Sequence, residues 1–249
     1  MINDEKVVCL DLGNTNCHVG LFHGKKCVFS NKTVTSSFIE NPRSFLSPFC
    51  EGSNFSYCSV VPKAEKALRS VISPEKLFFL KDLTSLKIPI SYPTPNEIGT
   101  DRLANVIATY TKSILPAIII DIGTATTFDI VTKSGGYEGG VIAPGPQGYL
   151  DFLQQNTALL PKISLQSELS PSSVIGKSTT DAMLLGVKLG FDPMVIGILE
   201  NLIHELKVLE EEKIKVLVVG GAVGQLDSHN FIQCPLLTLE GLAMAYLKP

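Results

Sequence analysis

Ile118-Ile119-Ile120-Asp121-Ile122-Gly123-Thr124-Ala125-Thr126-Thr127-Phe128-Asp129 reads as strand, turn, strand. Three β-branched residues lead into an acid, a glycine opens a tight turn, and hydroxyl residues follow before the apolar alternation resumes. Val7-Val8-Cys9-Leu10-Asp11-Leu12-Gly13-Asn14-Thr15-Asn16 repeats the pattern position by position near the start of the chain. Two copies of one hairpin predict two halves built alike, with a ligand held between them. A glycine turn with hydroxyl neighbours and backbone N–H groups suits phosphate, because glycine lets the backbone come close to the anion. An acid at each turn would repel bare phosphate but suits phosphate carrying a cation, and together these features predict a nucleotide site.

Composition narrows the class. The chain has 249 residues, 45% apolar and 18% charged, enough for one large domain or two of about 100–150 residues. A formal net charge of −3, with no Lys/Arg block, argues against a nucleic-acid partner. The apolar runs are broken by glycine or charge, so no membrane span is expected. Residues 1–6 lack the basic start and apolar core of a signal peptide, and a cytoplasmic protein is expected. Six cysteines (Cys9, Cys17, Cys27, Cys50, Cys58, Cys234) form no C-x-x-C pair and are expected to be buried free thiols. The four histidines, His18, His23, His204 and His229, show no metal-ligand spacing.

Along the chain, alternation predicts strands at Val7–Asp11, Cys17–Phe22 and Cys27–Val34, with a hairpin turn at 23–26. A Pro/Ser/Phe-rich segment from Ser36 to Ser53 predicts loop with a short helix. Tyr57–Val61 is a compact strand, and Pro62 suits the first turn of a helix reaching about Val71. Leu77–Leu80 is a further strand. The prolines within Ile88–Pro95 exclude regular structure there, and helical periodicity returns over Asp101–Thr111. Past a boundary at Ser113–Pro116, the repeated hairpin leads to a strand ending near Gly145 and a helix over Tyr149–Thr157. One or two helices follow over Thr180–Leu206, then a buried strand at Ile214–Val219 and a closing helix at Thr238–Leu247. The expected architecture is α/β, duplicated as an N-terminal lobe, 1–114, and a C-terminal lobe, 115–249.

Each candidate site has a plainer explanation beside it. Asp-x-Gly is ordinary turn chemistry, but two copies in matching hairpins make Asp11 and Asp121 candidates for function. In Gly99-Thr100-Asp101-Arg102, Asp101 can be read as a helix cap. The approach through a proline loop carrying Tyr92 also fits chemistry, with Asp101 taking a proton from a hydroxyl and Arg102 gripping a carboxylate or phosphate. Gly220-Gly221-Ala222-Val223-Gly224 does not give G-x-G-x-x-G, which disfavours a dinucleotide fold. Gly176-Lys177-Ser178-Thr179 is not a P-loop, since Pro171 stands where the leading glycine belongs. Lys177 can still serve substrate binding and Thr179 can cap the next helix. No G-x-S-x-G elbow occurs.

As a set, these residues resemble the type III pantothenate kinases of bacterial coenzyme A synthesis. The resemblance rests on Asp11–Asn16, Ser59-Val60-Val61-Pro62, Gly99–Arg102, Asp121–Asp129, Gly139–Gly145, Thr157–Pro161, Gly176–Thr179 and Leu237–Leu242. Val219 and the Pro146-Gln147-Gly148 run depart from the family pattern. The resemblance implies the two-lobed acetate and sugar kinase/actin (ribonuclease H-like) fold, with ATP in the cleft between lobes. It implies ATP-dependent phosphorylation of pantothenate to 4'-phosphopantothenate, with Mg²⁺ and a monovalent cation, K⁺ or NH₄⁺, and a homodimer. It further implies Asp101 as general base, and Tyr92, Gly99, Thr100, Asp101, Arg102 and Thr179 as acceptor-binding residues. Asp11, Leu12, Gly13, Asn14, Thr15, Asn16, Cys17, His18 and Thr124 would contact ATP, and Asp121 would hold the monovalent cation. A non-catalytic nucleotide-binding regulator of the same fold and a kinase of another small hydroxy-acid are the alternatives.

Overall fold

The computed structural model describes residues 5–49, 52–82, 88–165, 173–209, 213–220 and 231–247. Among the described residues ten strands form two five-stranded sheets. In the first, β1 (Lys6–Leu12) pairs antiparallel with β2 (Asn16–His23), and β2 pairs antiparallel with β3 (Lys26–Val34). On its other side β1 pairs parallel with β4 (Asn54–Ser59), and β4 pairs parallel with β5 (Leu77–Phe79). The spatial order is therefore β3-β2-β1-β4-β5.

The second sheet contains β6 (Ala117–Ile122), β7 (Ala125–Thr132), β8 (Gly136–Pro144), β9 (Lys215–Gly220) and β10 (Ile232–Gln233). Its order from the β8 edge is β8-β7-β6-β9-β10. That is the first sheet's succession with new strands, so the duplication legible in the hairpins extends to both sheets.

Alternation along a strand gives each face of the first sheet its own neighbours. Val8, Leu10 and Leu12 of β1, Cys17 and Val19 of β2, and Phe55 and Tyr57 of β4 build one core. That core also takes Phe38 from α1 (Thr35–Glu40), Leu46 from α2 (Pro42–Leu46) and Leu68 from α3 (Pro62–Arg69). The segment from 36 onward is thus more helical than its prolines and serines suggest. Pro42 sits in the first turn of α2, and the Asn41 side chain accepts a hydrogen bond from Ser44 N–H, so these residues act as start signals.

On the opposite face run α4 (Thr100–Thr111) and α7 (Leu237–Leu247). Ser56 of β4 donates to the Leu242 carbonyl at 3.0 Å, and Gly20 of β2 faces Leu239. The two helices touch closely: a Cβ at Gly241 would lie 1.9 Å from the Ala104 carbonyl oxygen. Buried Thr238 donates to Asn105 at 2.8 Å across the contact, and Lys112 pairs with Glu240 at its edge.

Two further helices are α5 (Pro146–Asn156) and α6 (Thr179–Leu209). α6 is one helix despite Pro193, and its Thr179–Lys207 stretch is long and apolar enough to cross a membrane by length and composition. Its apolar residues are dispersed among glycines and charges, which is why short runs in the sequence understate it. Leu184, Val187, Phe191, Val195 and Leu199 are buried along it at three- and four-residue spacing, the signature of a helix packed on one face.

The chain forms two compact units. One contains Met1–Ala117, Asp129–Gly139 and Leu236–Pro249; the other contains Ile118–Phe128 and Gly140–Pro235. The turn-side ends of β7 and β8 and the closing helix α7 thus belong with the first sheet. Cys9, Cys17 and Cys58 are buried and Cys27 and Cys234 partly exposed, none of the five in a disulfide, and Cys50 lies outside the described residues.

Replacing Gly241 by Ala should destabilise the protein by about 1–3 kcal/mol, because the new methyl meets backbone rather than a movable side chain. Urea unfolding should show a lower midpoint at constant slope. An unchanged midpoint would mean that α4 and α7 do not approach this closely.

Candidate active site

The period of two that sends Leu10 and Leu12 into one core turns Asp11 to the face carrying α4 and α7. Asp11 pairs in register with Cys58 on β4, and the fully buried Cys58 thiol donates to Asp11 Oδ1 at 3.4 Å. Burial first, then the charges of Asp11 and Asp101, push the Cys58 thiol well above its ordinary range. The Cys58 thiol therefore feels the charge of two carboxylates distant in sequence, and bonds to one of them, Asp11.

Thr100 brings Asp101 there. Its buried hydroxyl accepts from Ser59 N–H and donates to Ser59 O, both at 3.1 Å, pinning the start of α4 to the end of β4. Asp101 is not the helix cap; Gly99 holds that position without a side-chain bond. Asp101 instead lies in the first turn, where its Oδ1 accepts from Arg102 N–H at 2.8 Å. A Cβ at Gly99 would fall 2.6 Å from Asp101 Oδ1, so glycine leaves the carboxylate room to fold back.

The first hairpin is braced from beneath. Gly13 N–H is bonded within its turn to Asn16 O at 3.1 Å, which leaves Asn14 and Thr15 as the exposed tip. Thr35 donates its hydroxyl to Gly13 O at 2.6 Å and its N–H to Thr15 O at 3.0 Å. No local motif marks Thr35; its role depends on the chain returning to the hairpin. The Leu12 and Cys17 side chains point into the apolar core, so those positions can face a ligand only through backbone. Burial and then Lys32 lower the His18 pKa to about 4, so its imidazole is neutral at physiological pH.

Arg102 reaches the other way. It donates from Nε to Asp129 Oδ1 at 2.9 Å, with Nη2 2.6 Å from the same oxygen. Nη2 also donates to the Tyr137 hydroxyl at 2.7 Å, and Tyr137 donates to Asp129 Oδ1 at 2.9 Å. Burial would lower the Arg102 pKa, but its bonds to Asp129 raise it overall. The Asp129 pKa is raised by burial, partly countered by Arg102.

The proline loop is tied to the same hairpin. Tyr137 N–H donates to Pro89 O at 3.0 Å, and Ser91 N–H donates to Tyr137 O at 2.9 Å. Tyr92 is thereby set 5.9 Å, ring to ring, from Tyr137 and against Gly139. The loop is extended as expected, but it is also anchored.

The second unit holds the remaining candidates. Asp121 lies at the end of β6, and a Cβ at Gly220 (φ +99°) would come within 2.3 Å of Ile122 O and 2.8 Å of Asp121 Oδ1. Thr124 is exposed at the turn tip, its carbonyl accepting from Gly145 N–H at 3.1 Å. Gly123 N–H is bonded within the turn to Ala125 O, so in both hairpins the turn glycine's own N–H is taken. Thr179 is the exposed first residue of α6, but the cap is Ser178, whose hydroxyl accepts from Asp181 N–H at 3.0 Å. Residues 221–224 and His229 lie outside the described residues. Among the described residues no three His, Cys, Asp or Glu side chains form a metal-binding group.

Comparison with known proteins gives the family. The family model for type III pantothenate kinase matches residues 7–201. A type III pantothenate kinase from Methylacidiphilum infernorum is 34% identical over 242 residues, covering 96% of this chain and 87% of its own. Among solved structures, a Campylobacter jejuni protein provisionally assigned to the Baf family of transcriptional activators has a TM-score of 0.60 at 19% identity, covering 97% and 98% of the two chains. A Sinorhizobium meliloti protein provisionally assigned as a 2-dehydro-3-deoxygalactonokinase has a TM-score of 0.59 at 11% identity, covering 96% and 95%. Those two likenesses concern fold alone, and with the paired five-stranded sheets they identify the acetate and sugar kinase/actin superfamily fold. By the family match across most of its length, this chain belongs to the type III pantothenate kinases.

Proposed function

We propose that this enzyme transfers the terminal phosphoryl group of ATP to the primary hydroxyl of pantothenate, giving 4'-phosphopantothenate for coenzyme A synthesis. The observation carrying the reading is the Asp101 carboxylate at the start of α4, beside Arg102 and sharing the Cys58 environment with Asp11. Asp101 accepts the hydroxyl proton as the alcohol attacks, while Arg102 and Tyr92 hold the acceptor. Phosphoryl transfer depends mainly on positioning and charge, so one base and a fixed guanidinium are sufficient protein chemistry. The exposed tip at Asn14 and Thr15 takes the phosphates of ATP. Asp11 at the strand end suits the Mg²⁺ that accompanies them.

Asp121 is the proposed monovalent-cation ligand. The backbone at Gly220 packs closely on Ile122 O and Asp121 Oδ1, which brings the two oxygens to one place, and such donors suit K⁺ or NH₄⁺. The bound cation would supply positive charge near the nucleotide phosphates. Thr124 and Thr179 complete the proposed ATP and acceptor contacts, respectively. Homodimer formation belongs to the same proposal, and the second unit leaves Ile142, Phe152 and Leu159 exposed.

The deciding assay is ATP consumption with and without pantothenate, in the presence and absence of K⁺. Acceptor-dependent turnover is expected; ATP binding without it would indicate a nucleotide-binding regulator. Turnover only with another hydroxy-acid would reassign the substrate. Asp101→Asn should lower kcat about 10²–10⁴-fold with ATP affinity nearly intact, and an unimpaired variant would remove Asp101 from its role. Asp121→Ala should abolish activation by K⁺, whereas an unchanged salt-activation curve would place the cation elsewhere.

A further inference from the structure

Asp129 closes the hairpin motif, yet the proposed reaction gives it no part. Its carboxylate is wholly buried on β7, next to Phe128 and Val131, which are also buried. A buried ion pair is a poor way to stabilise a fold, because desolvation offsets most of the attraction and an apolar residue would pack as well. The geometry around it suggests another use. Asp129 and the Tyr137 hydroxyl bind Nε and Nη2 of Arg102, and the three groups bond to one another in a closed ring. Among the described residues Nη1 has no protein partner, and the Arg102 side chain keeps 13% exposure.

We propose that Asp129 and Tyr137 are positioning residues that fix the Arg102 guanidinium so that its Nη1 edge is presented to the acceptor. The inference rests on the reading of Arg102 as an acceptor-binding residue. With Nε and Nη2 engaged, the guanidinium keeps the two N–H donors of Nη1 in fixed directions for a carboxylate or amide oxygen. Its rotamers are already restricted, so little freedom is lost when the acceptor binds. The same hairpin also holds Pro89 and Ser91, which places Tyr92 beside Tyr137. Asp129 and Tyr137 thus act through Arg102, and Tyr137 also helps seat the loop that carries Tyr92.

Steady-state kinetics on Arg102→Ala, Asp129→Asn and Tyr137→Phe test this, with KM measured separately for pantothenate and ATP. Tyr137→Phe keeps the ring and removes only the hydroxyl. It should raise the pantothenate KM about 10-fold, the scale of one hydrogen bond to a charged group, and leave the ATP KM unchanged. Asp129→Asn should raise it further, and Tyr137→Phe should add nothing in an Arg102→Ala background. If Arg102→Ala raises the pantothenate KM but Tyr137→Phe does not, the positioning role is wrong and the reading of Arg102 stands. If Arg102→Ala itself leaves that KM unchanged, the reading of Arg102 fails. Should Asp129→Asn not fold, Tyr137→Phe alone and in the double variant still decides. An equal rise in both KM values would mean general loosening and would overturn the proposal.

Discussion

One hydroxyl ties this candidate site together. Thr100, buried at the junction of a strand end and a helix start, both accepts from and donates to the backbone of Ser59. Those bonds set where α4 begins, and hence where Asp101 and Arg102 stand relative to Asp11 and Cys58. The backbone contact of Gly241 with Ala104 then presses α7 onto α4. A helix start held at its first residue and clamped along its length is a rigid support for a carboxylate. Rigid support matters because a small misplacement of a reacting group can outweigh its chemical identity.

Arg102 shows how local and long-range constraints meet. Its neighbour Asp101 takes Arg102's own backbone N–H, while its side chain turns to Asp129 and Tyr137, more than 25 residues further along. Residues 129–139 accordingly group with the unit of the first sheet although their strands pair in the second. The proline loop carrying Tyr92 is stitched to the same segment by backbone bonds. Residues 88–102 and 129–139 therefore form one structural assembly.

Much of this was legible in the chain. The Asp-x-Gly hairpins, the alternation in β1 and the Pro62 helix start are local signals that appear where the pattern places them, while β4 begins and ends earlier than the expected Tyr57–Val61. The family motifs marked Asp101 and Arg102. Contacts between distant segments were not legible: Thr35 under the first hairpin, Cys58 on Asp11, and the Tyr137 hydroxyl on Arg102 depend on tertiary return. Asp129 was the nearest to a visible signal, an acid in an apolar strand, but its partner could not be read from spacing. The short helices after Thr35 were hidden by prolines and serines that serve as helix starts rather than breaks. The span of α6 was legible from its helical spacing, whereas its continuity as one helix through Pro193 was left open between one helix and two.

The central claim is that the acceptor binds against the assembly formed by 88–102 and 129–139. Hydrogen–deuterium exchange of the enzyme with a non-hydrolysable ATP analogue, with and without pantothenate, tests it without altering any residue. Slower exchange is predicted in peptides covering 88–103 and 129–139 when pantothenate is added. Protection confined to other segments, with these two unchanged, would contradict the account.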